Sequence, residues 1–257
     1  VKEHPKMNNF LEKLNFLRVG DDYLIKNLSI RKKKEKKLVL LAFFSFGLNI
    51  LLASMKIIFD LDGTLICSKK RLYELFCNLI QSRDLSFSDY WNLKYIGNSN
   101  QDILRERFDY TKAEISNFVN GWMKKIESDY YLEMDTLIDG TIEFLERIIQ
   151  NNSLYICTAR QSTCQVAKQL ESLSISKYFE NIFVTEQKNS KAELLKNSGL
   201  KFTKHDWIIG DTGHDIITGK EIGINTCAVL SGFMSLDALI GYSPDIIVAN
   251  IAKIDFI

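Results

Sequence analysis

The sequence predicts an α/β protein, a doubly wound parallel sheet that carries an inserted all-helical domain. Three observations lead there. From residue 55 onward, short apolar runs of strand length alternate with stretches of helical periodicity. Two of the apolar runs end in acidic residues, Asp60 and Asp211. The alternation breaks once, over residues 68–137, where only helical periodicity is found. Strands that alternate with helices argue for β-α units in a parallel sheet. Such sheets bind ligands beyond the carboxyl ends of their strands.

The chain opens with a segment unlike the rest. Residues 1–54 form an N-terminal extension with a basic block at 31–37 (RKKKEKK) and a nearly apolar run at 38–53 (LVLLAFFSFGLNILLA). Positive charge ahead of an apolar run is the pattern of a signal peptide or membrane anchor. This run is at the short limit for a spanning helix, and Gly47 and Asn49 interrupt it. Three readings stay open: an accessory or spurious extension ahead of a start at Met55, a membrane anchor through residues 38–53, and a packed helix.

After Met55 the strand candidates are residues 56–59, 154–157, 181–184, 207–209, 226–230 and 246–248, with helices between them at 162–173, 191–198 and 215–221. A core of residues 55–67 and 138–257 is expected around this pattern. Residues 68–137 are expected to form a helical cap, since Phe76, Leu79 and Ile80 share one face, as do Ile115, Phe118, Val119 and Trp122.

Composition excludes several functions. A net charge of +1 gives no electrostatic case for nucleic acid. The five cysteines, Cys67, Cys77, Cys157, Cys164 and Cys227, are odd in number and form no C-x-x-C pair. That argues against a disulfide framework or structural zinc, and for reduced thiols in a cytoplasmic protein. Membrane contact is expected only through residues 38–53.

The residues that carry chemistry stand at strand ends. IIFDLDGTL (57–65) is a buried strand that ends in Asp60, with Asp62 two residues on and Gly63 to permit a sharp turn. Paired carboxylates at a parallel strand's end repel each other and are kept near a metal or for catalysis. SLYICTAR (153–160) ends a second strand at Thr158. KAELLKNSG begins a helix with Lys191, and Lys188 precedes it. WIIGDTGHD (207–215) ends a third strand at Asp211, with Asp215 four residues later.

These four strings, in this order, resemble the haloacid dehalogenase (HAD) superfamily, whose first motif is D-x-D-G-T and whose acidic motif is G-D-x-x-x-D. The resemblance covers about residues 56–248 and implies a Rossmann-like core. It implies Asp60 as the nucleophile that attacks phosphorus and Asp62 as the acid that protonates the leaving oxygen. Thr158 and Lys191, with Lys188 as the alternative, and backbone N–H groups near Gly63 are implied phosphate ligands. Asp60, Asp211, Asp215 and the backbone carbonyl of Asp62 are the implied Mg²⁺ site. A helical insert after the first motif is similar to the subgroup of phosphoglycolate phosphatases and β-phosphoglucomutases. The function implied is a Mg²⁺-dependent phosphatase that hydrolyses a small phosphorylated metabolite through an aspartyl-phosphate. A phosphomutase of the β-phosphoglucomutase type and a non-catalytic binding module on the same fold are the alternatives.

Seven further residues are weighed. Arg160 approaches phosphate or makes a structural hydrogen bond. His214 is an exposed loop histidine or touches substrate, and His205 has no chemical role. In the cap, Trp91, Tyr95, Arg105 and Arg107 face the site, the cap's core or solvent.

Overall fold

The computed structural model describes residues 16–19, 22–25 and 54–255. Strands β1 (Phe16–Val19) and β2 (Asp22–Ile25) pair antiparallel. They belong to a unit of residues 1–51, separate from the unit of residues 52–257. The apolar run at 38–53 lies outside the described residues. Among the described residues, no helix is long and apolar enough to cross a membrane.

The second unit starts with β3 (Met55–Phe59), whose Ile57, Ile58 and Phe59 are wholly buried. Its side chains alternate between two cores. Ile57 and Phe59 join Leu154 and Ile156 on one face of the sheet, while Ile58 joins Tyr155 and Ile208 on the other. A strand buried on both faces must be apolar at every position, which is the continuous run seen in the sequence.

Beyond β3 comes a small antiparallel pair, β4 (Ile66–Cys67) and β5 (Thr136–Leu137). Both strands were missed in the sequence, because two-residue strands carry no periodicity. They bracket the insert, which is five helices: α1 (Lys69–Ile80), α2 (Phe87–Tyr95), α3 (Asn100–Phe108), α4 (Lys112–Lys125) and α5 (Asp129–Leu132). Reciprocal side-chain caps start two of them, Ser99 with Asp102 on α3 and Thr111 with Glu114 on α4. Phe76, Tyr90, Trp91, Ile103, Leu104 and Phe118 form the insert's own apolar core.

The chain then returns through α6 (Thr141–Ile148), β6 (Asn152–Thr158), α7 (Thr163–Ser172), β7 (Asn181–Val184), α8 (Lys191–Asn197), β8 (Trp207–Gly210), α9 (Gly213–Ile222), β9 (Asn225–Val229), α10 (Leu236–Ile240) and β10 (Ile246–Val248). The six long strands pair in parallel in the order β10-β9-β8-β3-β6-β7. All six were legible as apolar runs, to within two residues at each end. The central strand β3 is flanked by β6 and β8, with Phe59 opposite Ile156 and Ile209. Connections leave β3 toward β6 and β7 on one side, then cross to β8, β9 and β10 on the other. That reversal makes the carboxyl ends of β3 and β8 the switch point where such sheets bind ligands.

Candidate active site

Asp60 follows the last residue of β3, and Asp211 follows the last residue of β8. Because those strands are neighbours, the backbone N–H of Asp60 donates to the carbonyl of Ile209 at 2.9 Å. Both aspartates are buried. Asp215 joins them from the first turn of α9, and the three carboxylates offer oxygens that all lie within 4.8 Å of one another. Thr158, at the end of β6, and Lys191, at the start of α8, line the same cavity, which has a volume of about 720 Å³.

Glycines make the approach possible. Gly63 sits at φ +85°, and a Cβ there would lie 2.5 Å from an Asp211 carboxylate oxygen. A Cβ on Gly210 would meet the Asp215 carboxyl carbon at 2.2 Å. The first glycine also serves the turn, since its left-handed backbone is strained for other residues.

Both candidate lysines line the cavity, and Lys191 is the one bonded to the carboxylates. Its Nζ donates to Asp60 Oδ1 at 2.5 Å and to Asp215 Oδ1 at 2.6 Å. Lys188 is exposed and pairs with Glu186. Asp215 also acts on the backbone. Its other oxygen accepts from the N–H and hydroxyl of Thr212, which caps α9 and shapes the loop holding Asp211.

The cluster carries more negative charge than its one lysine balances. Burial, only partly offset by Lys191 and reinforced by Asp215, pushes the Asp60 carboxyl up to about 7. Burial and the charges of Asp60 and Asp215 push Asp211 well above the usual carboxylate range. Asp211 Oδ2 accepts from the Phe233 backbone N–H at 2.8 Å, but buried Oδ1 has no hydrogen-bond partner among the described residues. An orphaned carboxylate oxygen beside two further carboxylates is the donor set of a hard divalent cation, and Mg²⁺ suits it.

Asp62 stands apart from this cluster. Its side chain is held by Arg160 Nε and Nη2 and by Arg71 Nη2. Burial works against its charge, but Arg160 and Arg71 outweigh burial and hold the carboxyl well below the usual range. Of the two readings left open for Arg160, the hydrogen-bonding one is what the structure shows.

Residues 57–229 match the haloacid dehalogenase-like hydrolase family. The chain belongs to that family. This hydrolase is similar to the pyrophosphatase PpaX of Oceanobacillus iheyensis, 29% identical over 206 residues that cover 77% of this chain and 94% of that protein. Its fold is similar to a haloacid dehalogenase-like family hydrolase from Streptococcus pneumoniae, at a TM-score of 0.66 and 23% identity, covering 78% of this chain and 96% of that one. A HAD hydrolase from Bacillus subtilis, described as bound to magnesium, matches at a TM-score of 0.53 and 18% identity over 78% of this chain and 99% of that one.

The hydrolase's insert meets the site through residues the sequence did not single out for it. Arg71 of α1, Trp122 and Met123 of α4, and Glu127 in the turn after α4 line the cavity. Glu127 accepts from the backbone N–H groups of Gln161 at 2.6 Å and Ser162 at 3.0 Å, just beyond Arg160. Phe233 reaches the other way: it follows β9, and its ring stacks on Trp91 of the insert at 5.6 Å between centroids. The four cap candidates fall elsewhere. Trp91 is buried in the insert's core, Tyr95 accepts a hydrogen bond from Lys69, and Arg105 and Arg107 are exposed, Arg105 in an ion pair with Asp102. His214 is exposed on the first turn of α9 and lines the cavity, while His205 is exposed away from it.

Arg71 and Glu127 were missed because their role depends on tertiary placement. In the sequence each is one more charge beside an apolar helical face, indistinguishable from a solvated one.

Proposed function

We propose that this hydrolase is a phosphatase of small phosphorylated metabolites, with Asp60 as its nucleophile. One observation carries the reading: Asp60, Asp211 and Asp215 converge within 4.8 Å at the sheet's switch point, with Lys191 bonded to Asp60. Asp60 and Asp211, with the nearby Asp215 and the backbone carbonyl of Asp62, are the residues that would hold Mg²⁺. Bound there, the cation would offset the negative charge that otherwise keeps a phosphate away from a carboxylate nucleophile.

The chain's own residues supply the rest. Lys191 neutralises part of the charge on nucleophile and phosphate. Thr158 and the backbone N–H of Asp62 hold phosphate oxygens; the N–H of Gly63 itself donates to the carbonyl of Ile66 at 2.7 Å. A carboxyl oxygen of Asp60 attacks phosphorus in line, and the bond from phosphorus to the leaving oxygen breaks. Asp62, once released from Arg71 and Arg160 so that it can take up a proton from water, turns toward that oxygen and gives it the proton. Water then attacks the aspartyl-phosphate, Asp62 takes its proton, and the bond from phosphorus to Asp60 breaks to release phosphate. The insert covers the cavity and excludes bulk water. All five cysteines are free, which fits a reducing cytoplasm.

A panel of phosphorylated metabolites, assayed with Mg²⁺ and with chelator, tests the reading. Phosphate release that requires the cation is expected. Isomerised phosphosugar in place of free phosphate would make the chain a mutase. Binding without turnover across the panel would make it a binding module.

A further inference from the structure

Four consecutive residues after β9, outside the strings that carry the resemblance, hold the turns around the carboxylates. Ser231 Oγ donates to the carbonyl of Gly63 at 2.7 Å. Gly232 lies so close to Asp211 that a Cβ on it would fall 1.8 Å from the Oδ2 atom. Only glycine lets the main chain come that near a side chain. The Phe233 backbone N–H donates to the same Oδ2 at 2.8 Å. Met234 Sδ accepts from the backbone N–H of Gly213, on the first turn of α9, at 3.2 Å. One oxygen of Asp211 is thus tied to the main chain, which fixes the carboxylate's rotation beside Asp60 and Asp215.

The sheet alone does not anchor this segment. The Phe233 ring packs on the insert's apolar core. It stacks on Trp91 of α2, with ring planes at 16° and centroids 5.6 Å apart. Trp91 is buried and is itself set in place by Tyr90, edge-on at 5.2 Å, and by the Lys69 ammonium, 5.8 Å from its ring centroid. Trp91 does not line the cavity. One residue, Phe233, therefore joins a ring of the insert to a carboxylate of the site: its side chain meets Trp91 and its main chain meets Asp211. The hydrogen bonds that orient a ligating carboxylate govern its affinity for a cation.

We infer that Phe233 is a positioning residue for Asp211 and that Trp91 acts through it. With the insert seated, the stacked ring keeps the Phe233 N–H on the carboxylate and so raises the site's affinity for a divalent cation. By linkage, a cation held at Asp211 stabilises the Trp91–Phe233 stack, and the insert with it, by the same factor. This inference rests on the phosphatase reading with its cation site, and adds two residues to which that reading gives no part. The rival account is that the stack only stabilises the insert.

Calorimetric titration of the full chain with Mg²⁺, in the absence of substrate, separates the two. Trp91→Leu and Phe233→Ala remove the stack and leave every carboxylate in place, and each weakens Mg²⁺ binding about tenfold. Phe233→Tyr keeps both ring and N–H, and binds within about twofold of the unaltered chain. Phe118→Leu, in the insert's core but outside the stack, serves as the structural control. It lowers the melting temperature and leaves Mg²⁺ affinity within about twofold. Unchanged Mg²⁺ affinity in either stack variant, or an equal loss in Phe118→Leu, would overturn the proposal. If the stack variants fail to fold, hydrogen exchange on the unaltered chain decides. Saturating Mg²⁺ is expected to slow exchange in α2 as well as in residues 231–234, and protection absent from α2 would overturn the proposal. Failure of the unaltered chain to bind Mg²⁺ at all would instead overturn the cation site of the phosphatase reading, and this inference with it.

Discussion

At the scale of single residues, the site stores unfavourable charge. Asp60, Asp211 and Asp215 are buried together against one lysine, an arrangement kept for function at the expense of stability. Its sign can be read in pH. The Asp60 carboxyl ordinarily titrates at 3.8, and burial pushes it up to about 7. Between those values the unfolded chain has lost the proton and the folded chain keeps it. Stability from this group is therefore full below the lower value and is lost as pH rises through the upper one. In metal-free buffer, the Asp60→Asn variant should melt above the unaltered chain by a margin that widens across this window. Melting curves at a series of pH values test it, and a margin independent of pH would contradict it. Most of these residues were visible in the sequence, because acidic residues at the ends of apolar strands are out of place. Arg71 and Arg160 were not legible in the same way: nothing local says that two arginines 89 positions apart share one carboxylate.

At the scale of elements, the ties between insert and core include the β4–β5 pair, the Arg71–Asp62 bond, the Trp91–Phe233 stack and the Glu127 carboxylate. Glu127 is the most specific of them. It spans from the turn after α4 to two backbone N–H groups where α7 begins, beside the loop that carries Arg160. Its removal leaves those donors to water and loosens the insert over the cavity. Glu127→Ala should raise KM several-fold, with a melting temperature lower by only a few degrees, as expected when roughly 1–3 kcal/mol of charge-assisted bonding is lost. Kinetics and a thermal scan on the one variant check both numbers. An unchanged KM would show that this contact does not hold the insert in place. Helices α1 and α4 were readable from their apolar faces, whereas the ties between insert and core were not. A ring stacked across two elements, like a two-residue strand, leaves no periodic trace.

At the scale of the whole molecule, the chemistry depends on topology. Two acidic strand ends, 151 residues apart in the chain, become neighbours only because β3 lies between β6 and β8. The alternation of strands and helices predicted a parallel sheet but not the order of its strands. The expectation that Asp60 meets Asp211 therefore came from resemblance, and the strand pairing now gives its physical cause. Under the proposed function, this topology makes Asp60 a nucleophile. Acid quenching of the enzyme during turnover with Mg²⁺, followed by peptide mass spectrometry, tests it most directly. A phosphoryl group on Asp60, absent from the Asp60→Asn variant, is the expected result. Turnover with the phosphoryl group on another residue, or undiminished turnover in that variant, would contradict it.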